Sequence, residues 1–324
     1  MHFLLRRMGF YLLTLWAALT LNFVIPRLMP GDPAAVIMQR LGGSNSPETL
    51  KAIQAQVGDQ SAGWLSQYVT YWTNIVHGDL GPSVLYYPTP VTEVIRHSLP
   101  WTIALVGLAT LISFVVGTFL GILVGWYRGS ALDGMLPIAT FFYAVPYFWI
   151  GLVALTIFSV ELGWFPVSGG SNVELESGFT WGYLSSLVSH GVLPLVTIVL
   201  ASVATFTLGM RNMMVTTMAE DYVLLAEAKG LPPRRIVFSY AARNAILPNI
   251  SAFALSLGFV VAGATLTEIV FSYPGIGYHL FQAVTNLDYP LMQGIFLVIT
   301  LVVLAANMVA DVAYLLLDPR ARES

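Results

Sequence analysis

PWTIALVGLATLISFVVGTFLGILVGW, residues 100–126, is the stretch that decides the fold. Leu, Val, Ile, Ala, Phe and Gly dominate it, and it holds no Lys, Arg, Asp or Glu. A helix that crosses the hydrocarbon core of a bilayer needs roughly 20 such residues. The run shows no in–out alternation, so a barrel strand is a poor alternative. Five more stretches read the same way: 8–26, 135–160, 191–210, 249–270 and 291–317. None has a Lys or Arg in its middle third, where each would cost roughly 2.5–3.5 kcal/mol on the insertion scale. The pattern predicts an all-α membrane protein with six transmembrane helices.

The composition of the whole chain agrees. It has 324 residues, 56% hydrophobic and 10% charged, with a mean hydropathy of +0.75. An ordinary soluble domain carries about 25% charged residues. Too few are present here to coat a water-facing surface, which excludes most cytosolic enzymes, nucleic-acid binders and disordered regulators. The net charge of -3 gives no global field for DNA or RNA. Cysteine is absent, so disulfide frameworks and cysteine metal sites are excluded. The histidines His2, His77, His97, His190 and His279 show no i,i+4 pairing and no neighbouring ligands. No metal site, cofactor site or catalytic residue is therefore expected.

The first apolar run follows Arg6 and Arg7, as a signal peptide's core would. It is longer than the usual ~7–15 residues of such a core. Asn22, Pro26 and Arg27 stand where a small-x-small cleavage site would be. A retained helix is expected. Positive charge then sets the direction. With the N-terminus inside, the inner segments hold Arg6, Arg7, Arg128, Arg211, Lys229, Arg234, Arg235, Arg243, Arg320 and Arg322. The outer segments hold only Arg27, Arg40, Lys51 and Arg96. Six spans put both termini in the cytoplasm.

The expected organisation is residues 1–27 for the N-terminus and first helix, 28–99 outside, a core over 100–317 and a cytoplasmic tail over 318–324. The segment 28–99 contains Pro30-Gly31-Asp32-Pro33, a predicted helix near 46–57 and an aromatic run over 64–72. It reads as a small extracytoplasmic cap after the first helix. The one long cytoplasmic loop is 211–247.

That loop reads MAEDYVLLAEAKG (218–230), then LPPRRIVFSYAARNAILP (231–248). Glu220 and Asp221 near the start, Lys229 near the end and Gly230 at a left-handed cap position predict one helix. Pro232 and Pro233 suit the first turn of a second. The small residues Ala226 and Ala228 beside Gly230, flanked by Arg234 and Arg235, make a knuckle able to enter a groove on another protein. Periodicity alone favours the plainer reading, a solvated amphipathic connector.

The loop resembles the coupling loop of the membrane subunits of ATP-binding-cassette (ABC) importers. Ala226-Glu-Ala-Lys-Gly-Leu231, followed by Arg243-Asn-Ala-Ile-Leu-Pro248, resembles the B-type subunit of the dipeptide/oligopeptide permease family in particular. Leu224, Leu225 and Ala226 stand where the general pattern has Glu-Ala-Ala. The interval from glycine to proline is also longer than in the sugar importers. Both departures are usual in the peptide branch. Further matches cover nearly the whole chain: Pro30-Gly-Asp-Pro33, Gly78-Asp-Leu-Gly81, Leu99-Pro-Trp-Thr102, Pro146-Tyr-Phe-Trp149, Gly163-Trp-Phe-Pro166, Glu268 through Gly277, Asp288-Tyr-Pro290 and Asp318-Pro-Arg-Ala-Arg322.

The resemblance implies a type I ABC importer permease fold in a bacterial or archaeal plasma membrane. It implies a second, homologous permease subunit, two ATPase subunits below and an extracytoplasmic substrate-binding protein above. Ala226, Glu227, Ala228, Lys229, Gly230, Leu231, Arg234 and Arg235 would couple to an ATPase. ATP and Mg would be bound by those ATPases. This chain has no Gly-x-x-x-x-Gly-Lys-Ser/Thr phosphate loop and is expected not to be an enzyme. Glu268, Pro274 and Gly275 are candidates for a gate, and Tyr147 and Phe148 for the path. The plainer readings are a structural hydrogen bond for Glu268 and helix packing for the aromatics. Asp311 is expected to have a structural partner.

The expected cargo is di- or oligopeptides, with oligosaccharides or nickel complexes as alternatives in the same machine. An intramembrane protease would need a base beside Ser113, Ser202 or Ser256, and no histidine lies within their spans. An ion-coupled transporter or channel usually leaves several intramembrane acids. Here Glu268 and Asp311 are the marginal ones.

Overall fold

The structure is a computed structural model and describes residues 2–28, 63–260 and 264–317. Every regular element among them is helical. In chain order these are α1 (His2–Leu28), α2 (Trp64–His77), α3 (Val91–Trp126), α4 (Met135–Ala144) and α5 (Tyr147–Ala154), which runs on as a π-helical segment, Leu155–Glu161. Then come α6 (Trp181–Met218), α7 (Asp221–Ala228) and α8 (Pro233–Arg235), the last also extended by a π-helical segment, Ile236–Ala241. The remainder are α9 (Ala242–Ala245), α10 (Leu247–Phe259), α11 (Thr265–Val270), α12 (Ile276–Thr285) and α13 (Tyr289–Leu317).

Among the described residues, four stretches are long and apolar enough to cross a membrane: Met8–Leu28, Val91–Trp126, Trp181–Met218 and Tyr289–Met308. The expected continuous span over 135–160 is instead two helices bent by 95°. The cause is Pro146, which lacks an N–H and forces the preceding residue out of the helical region. Val145 accordingly sits at φ -79, ψ 129. Counted as one broken span, the pair makes five. The run over 249–270 is also not one helix. The apolar part of α10, Leu247–Gly258, is too short to cross alone, and α11 follows after residues 261–263. Those three residues, Pro30–Pro33 of the sequence motif, the helix expected near 46–57 and the tail 318–324 lie outside the described residues. So does the side chain of Asp311.

Two further boundaries differ from the sequence reading. Helix α3 starts at Val91, so Pro100 lies inside it. Helix α6 extends past 191–210 at both ends, and residues 211–218 continue it.

The chain divides into two compact units, residues 1–101 with 274–305 and residues 102–273 with 306–324. In the first, Val91, Val94 and Ile95 bury against Ile276, Ala283, Leu291, Met292 and Ile295. Gly294 allows that approach, because a Cβ there would collide with the Val91 side chain. Buried Asp288 caps α13, accepting from Leu291 N at 3.0 Å. Its other oxygen accepts from Ser83 Oγ and from Leu85 N at 2.9 Å. Helix α2 lies along the end of α1. Thr20 and Tyr68 hydroxyls are 2.8 Å apart, Asn22 Nδ2 donates to Tyr71 at 3.2 Å, and Arg27 Nε donates to Gln67 at 2.8 Å.

The second unit is built on a close pairing of α3 with α6. Gly117, Gly121 and Gly125 recur every four residues and so share one face of α3. A Cβ on them would lie 2.7, 2.6 and 2.5 Å from the Cβ atoms of Phe206, Met210 and Met214. Only glycine lets the two backbones come this near. In lipid, where the hydrophobic effect does not drive helices together, such small-residue faces are a main source of packing. Asn249 of α10 joins them. It is buried and donates to Thr118 Oγ1 at 3.1 Å and to the Phe206 carbonyl at 3.0 Å.

Candidate functional site

The expected helix, tight turn and helix after α6 is present, and its shape follows from the sequence. Glu220 stands in extended conformation before α7, with Asp221 in the first turn, where the helix dipole favours negative charge. At the other end Lys229 caps the helix and Gly230 turns left-handed at φ 72. Leu231 N bonds back to the Ala226 carbonyl at 3.3 Å, and Gly230 N to Glu227 at 2.8 Å. This is the double hydrogen bond of a Schellman cap. Pro232 then precedes α8, and Pro233 fills its first position, where no N–H is needed.

The inner face of this elbow is dry. Val223, Ala226 and Ile236 are buried together, with Trp126, Met218, Leu231 and Tyr240 at their edges. One turn on, Val237, Ala241, Ala242 and Ala245 pack on Ile122, Met210 and Met214. Met210 and Met214 are the same side chains that cover the glycine face of α3. The elbow is therefore packed against the two long helices rather than hung between them. Across its width, Asn244 Nδ2 donates to the Tyr222 hydroxyl at 2.9 Å.

Among the expected coupling residues, Glu227, Ala228, Lys229, Gly230, Arg234 and Arg235 are exposed. Ala226 is 2% exposed and Leu231 half-buried, so these two shape the elbow from within. The sequence reading missed an apolar rim: Leu224 and Leu225 are 50% and 56% exposed, and Phe238 is 49% exposed. Its signal was available, since large apolar side chains in a polar loop must either bury or meet a partner.

Of the candidates for gate and path, Glu268 is fully buried in α11 and accepts from Thr102 Oγ1 at 2.8 Å. A buried carboxylate needs such donors. Two residues past the end of α11, Ser272 sits left-handed at φ 47 and closes a cap of the same kind, with Tyr273 N on the Glu268 carbonyl at 2.8 Å. Tyr147 and Phe148 open α5 and are half-buried. Gly151, one turn on, faces Phe271, with 3.2 Å between a Cβ there and the ring. Gly275 is buried and Pro274 half-buried ahead of α12, in the other unit. No group of three or more His, Asp or Glu placed to hold a metal ion occurs among the described residues.

Comparison with known proteins gives a consistent answer. Residues 117–323 match the family described as the binding-protein-dependent transport system inner membrane component. The chain is 37% identical to a di/tripeptide transport system permease protein, DppB, of Pseudomonas aeruginosa, over 99% of this chain and 98% of that one. It is 32% identical to the dipeptide transport system permease protein DppB of Escherichia coli, over 99% of each. It is 31% identical to the oligopeptide transport system permease protein AppB of Bacillus subtilis, over 93% and 92%.

Proposed function

We propose, on the premise that this chain belongs to the family of binding-protein-dependent transport system inner membrane components, that its elbow takes up the stroke of a separate ATPase. The chain is a permease subunit of a peptide ABC importer. Whole-length similarity to permeases named for di/tripeptide, dipeptide and oligopeptide transport supports that cargo class. It forms half of the translocation path, and a second permease subunit forms the other half. Two ATPase subunits bind ATP and Mg, and an extracytoplasmic binding protein delivers the peptide. The chain passes the plasma membrane six times, with both termini cytoplasmic. The bent α4–α5 pair makes the third span and the interrupted 249–270 run the fifth. The excess of Arg and Lys on the inner segments supports this direction. The 28–99 segment is then an extracytoplasmic cap.

The observation that carries the reading is the two-faced elbow. Its surface offers Leu224, Leu225 and Phe238, with Lys229, Arg234 and Arg235 around them, which suits a groove on an ATPase. Its buried face is continuous with the packing of α3 and α6. Close-packed interiors transmit displacement rather than absorb it. When ATP closes the ATPase pair, the elbow and the helices behind it move as one body. The permease pair thereby turns from inward-facing to outward-facing. Tyr147 and Phe148 line the path.

Gly230 gives the test. Open space surrounds it, so a Cβ would meet nothing within 4 Å. The left-handed backbone costs an ordinary residue roughly 1–2 kcal/mol, and a β-branched one is a genuine outlier there. Gly230→Val in the assembled transporter is expected to insert normally, keep ATPase activity and lose peptide uptake. Gly230→Asn, which tolerates this conformation, is expected to keep uptake. Normal uptake by the valine variant contradicts the reading.

A further inference from the structure

Helix α2 carries an apolar face wider than its neighbour covers. Tyr68 and Tyr71 bond to Thr20 and Asn22 of α1 and, like Ile75, are half-buried. Leu65, Val69, Trp72 and Val76, at i, i+4, i+7 and i+11, form a second row beside them. Leu65 and Val76 are 77% exposed and Val69 58%. Ser66, Thr70, Thr73, Asn74 and His77 make up the opposite, polar side and are exposed as well.

Position within the first unit identifies what covers the apolar row. Gln67 pairs with Arg27, at the C-terminal end of the candidate span Met8–Leu28. Tyr68 reaches Thr20, about 12 Å back along α1 at 1.5 Å per residue. Past the other end of α2, Leu80 packs on Gly294, near the start of the candidate span Tyr289–Met308. Asn22, bonded to Tyr71, also donates to the Gln293 carbonyl at 2.8 Å. Helix α2 is thus bracketed by the ends of two spans, at the level where lipid headgroups meet acyl chains. Trp64, Tyr68, Tyr71 and Trp72 are the residue types that concentrate at that level. On α1, Leu21, Ile25 and Leu28 are exposed apolar side chains as well.

We propose that α2 is an interfacial helix seated on lipid, with Leu65, Val69 and Val76 on acyl chains and its Thr70 and Asn74 side in water. This rests on the reading of Met8–Leu28 as a membrane span. The absence of cysteine from the chain makes a direct test practical. Single-cysteine variants Leu65→Cys, Val69→Cys, Val76→Cys, Thr70→Cys and Asn74→Cys are nitroxide-labelled in the transporter assembled with its partner subunits. The lipid is a phosphatidylethanolamine/phosphatidylglycerol nanodisc. Leu13→Cys, on the exposed side of α1, is the control. Collision rates are read with oxygen, which partitions into lipid, and with a water-soluble nickel complex. The expected result is an oxygen-to-nickel ratio above one at positions 65, 69, 76 and 13, and below one at 70 and 74. With position 13 in lipid, nickel-dominated collisions at 65, 69 and 76 overturn the proposal, and so does shielding from both reagents, which would mean a protein cover. Nickel-dominated collisions at position 13 refute the span itself and the proposal with it.

Discussion

His279 is a titratable side chain whose surroundings favour its neutral form. Burial pushes its imidazole below the usual 6.5. Its Nδ1 lies 3.0 Å from the Tyr86 hydroxyl. The unfolded chain therefore takes up a proton before the folded chain does as pH falls. Stability present above about pH 6.5 is lost as pH falls towards the lowered folded value. Thermal melts in detergent between about pH 8 and about pH 5 are expected to show that loss, and His279→Gln to flatten it. An unchanged slope in the variant would assign the pH dependence elsewhere. Asp288, in the same unit, shows a different solution for a buried acid: three donors, from Ser83, Leu85 and Leu291, satisfy its carboxylate. The sequence placed Asp288 in a loop, since the contacts that bury it come from about two hundred residues away, with |i−j| of 205 and 203.

At the scale of elements, the decisive contact is α3 on α6. Gly121→Ala puts a Cβ 2.6 Å from both the Met210 Cβ and the Thr207 carbonyl. Overpacking of this kind costs about 1–3 kcal/mol. Gly191 also lies in a helix, α6, but a Cβ there meets nothing within 4 Å. Gly121→Ala is expected to lower the melting temperature in detergent and Gly191→Ala to leave it unchanged. Equal effects would mean that helix propensity, not close approach, governs these glycines. The repeated four-residue spacing was readable in the sequence, but the partner face of Phe206, Met210 and Met214 was not, because periodicity says nothing about which helices meet. Helix caps show the same limit. Gly230 announces its left-handed turn, whereas Ser272 and Leu287 adopt φ 47 and 55 with no residue signal. Both close local caps, with Tyr273 N on the Glu268 carbonyl and Asp288 N on the Ala283 carbonyl, each at 2.8 Å, at a cost of roughly 1–2 kcal/mol per residue. Residues 135–160 read as one span by apolar length, whereas Pro146 breaks it with a bend of 95°.

At the scale of the whole molecule, low charge and long apolar runs made the membrane class plain, and the motif order over the chain made the family plain. The span count was harder to read. Apolar length measures how much chain can enter lipid, while breaks at Pro146 and after α10 decide how it is divided. The elbow was legible in its backbone, through Gly230, Pro232 and Pro233. Its proposed docking surface was less so, because Ala226 is buried and Leu224, Leu225 and Phe238 are exposed. The central claim, that this surface receives force from an ATPase, is most directly tested by cross-linking. A single cysteine at exposed Ala228, in the assembled transporter, is treated with a short thiol-reactive photo-cross-linker. The account predicts an adduct with an ATPase subunit in both nucleotide-free and ATP-bound states. Modification of Ala228→Cys by a water-soluble thiol reagent at the same rate with and without the ATPase subunits, and no adduct, would contradict it.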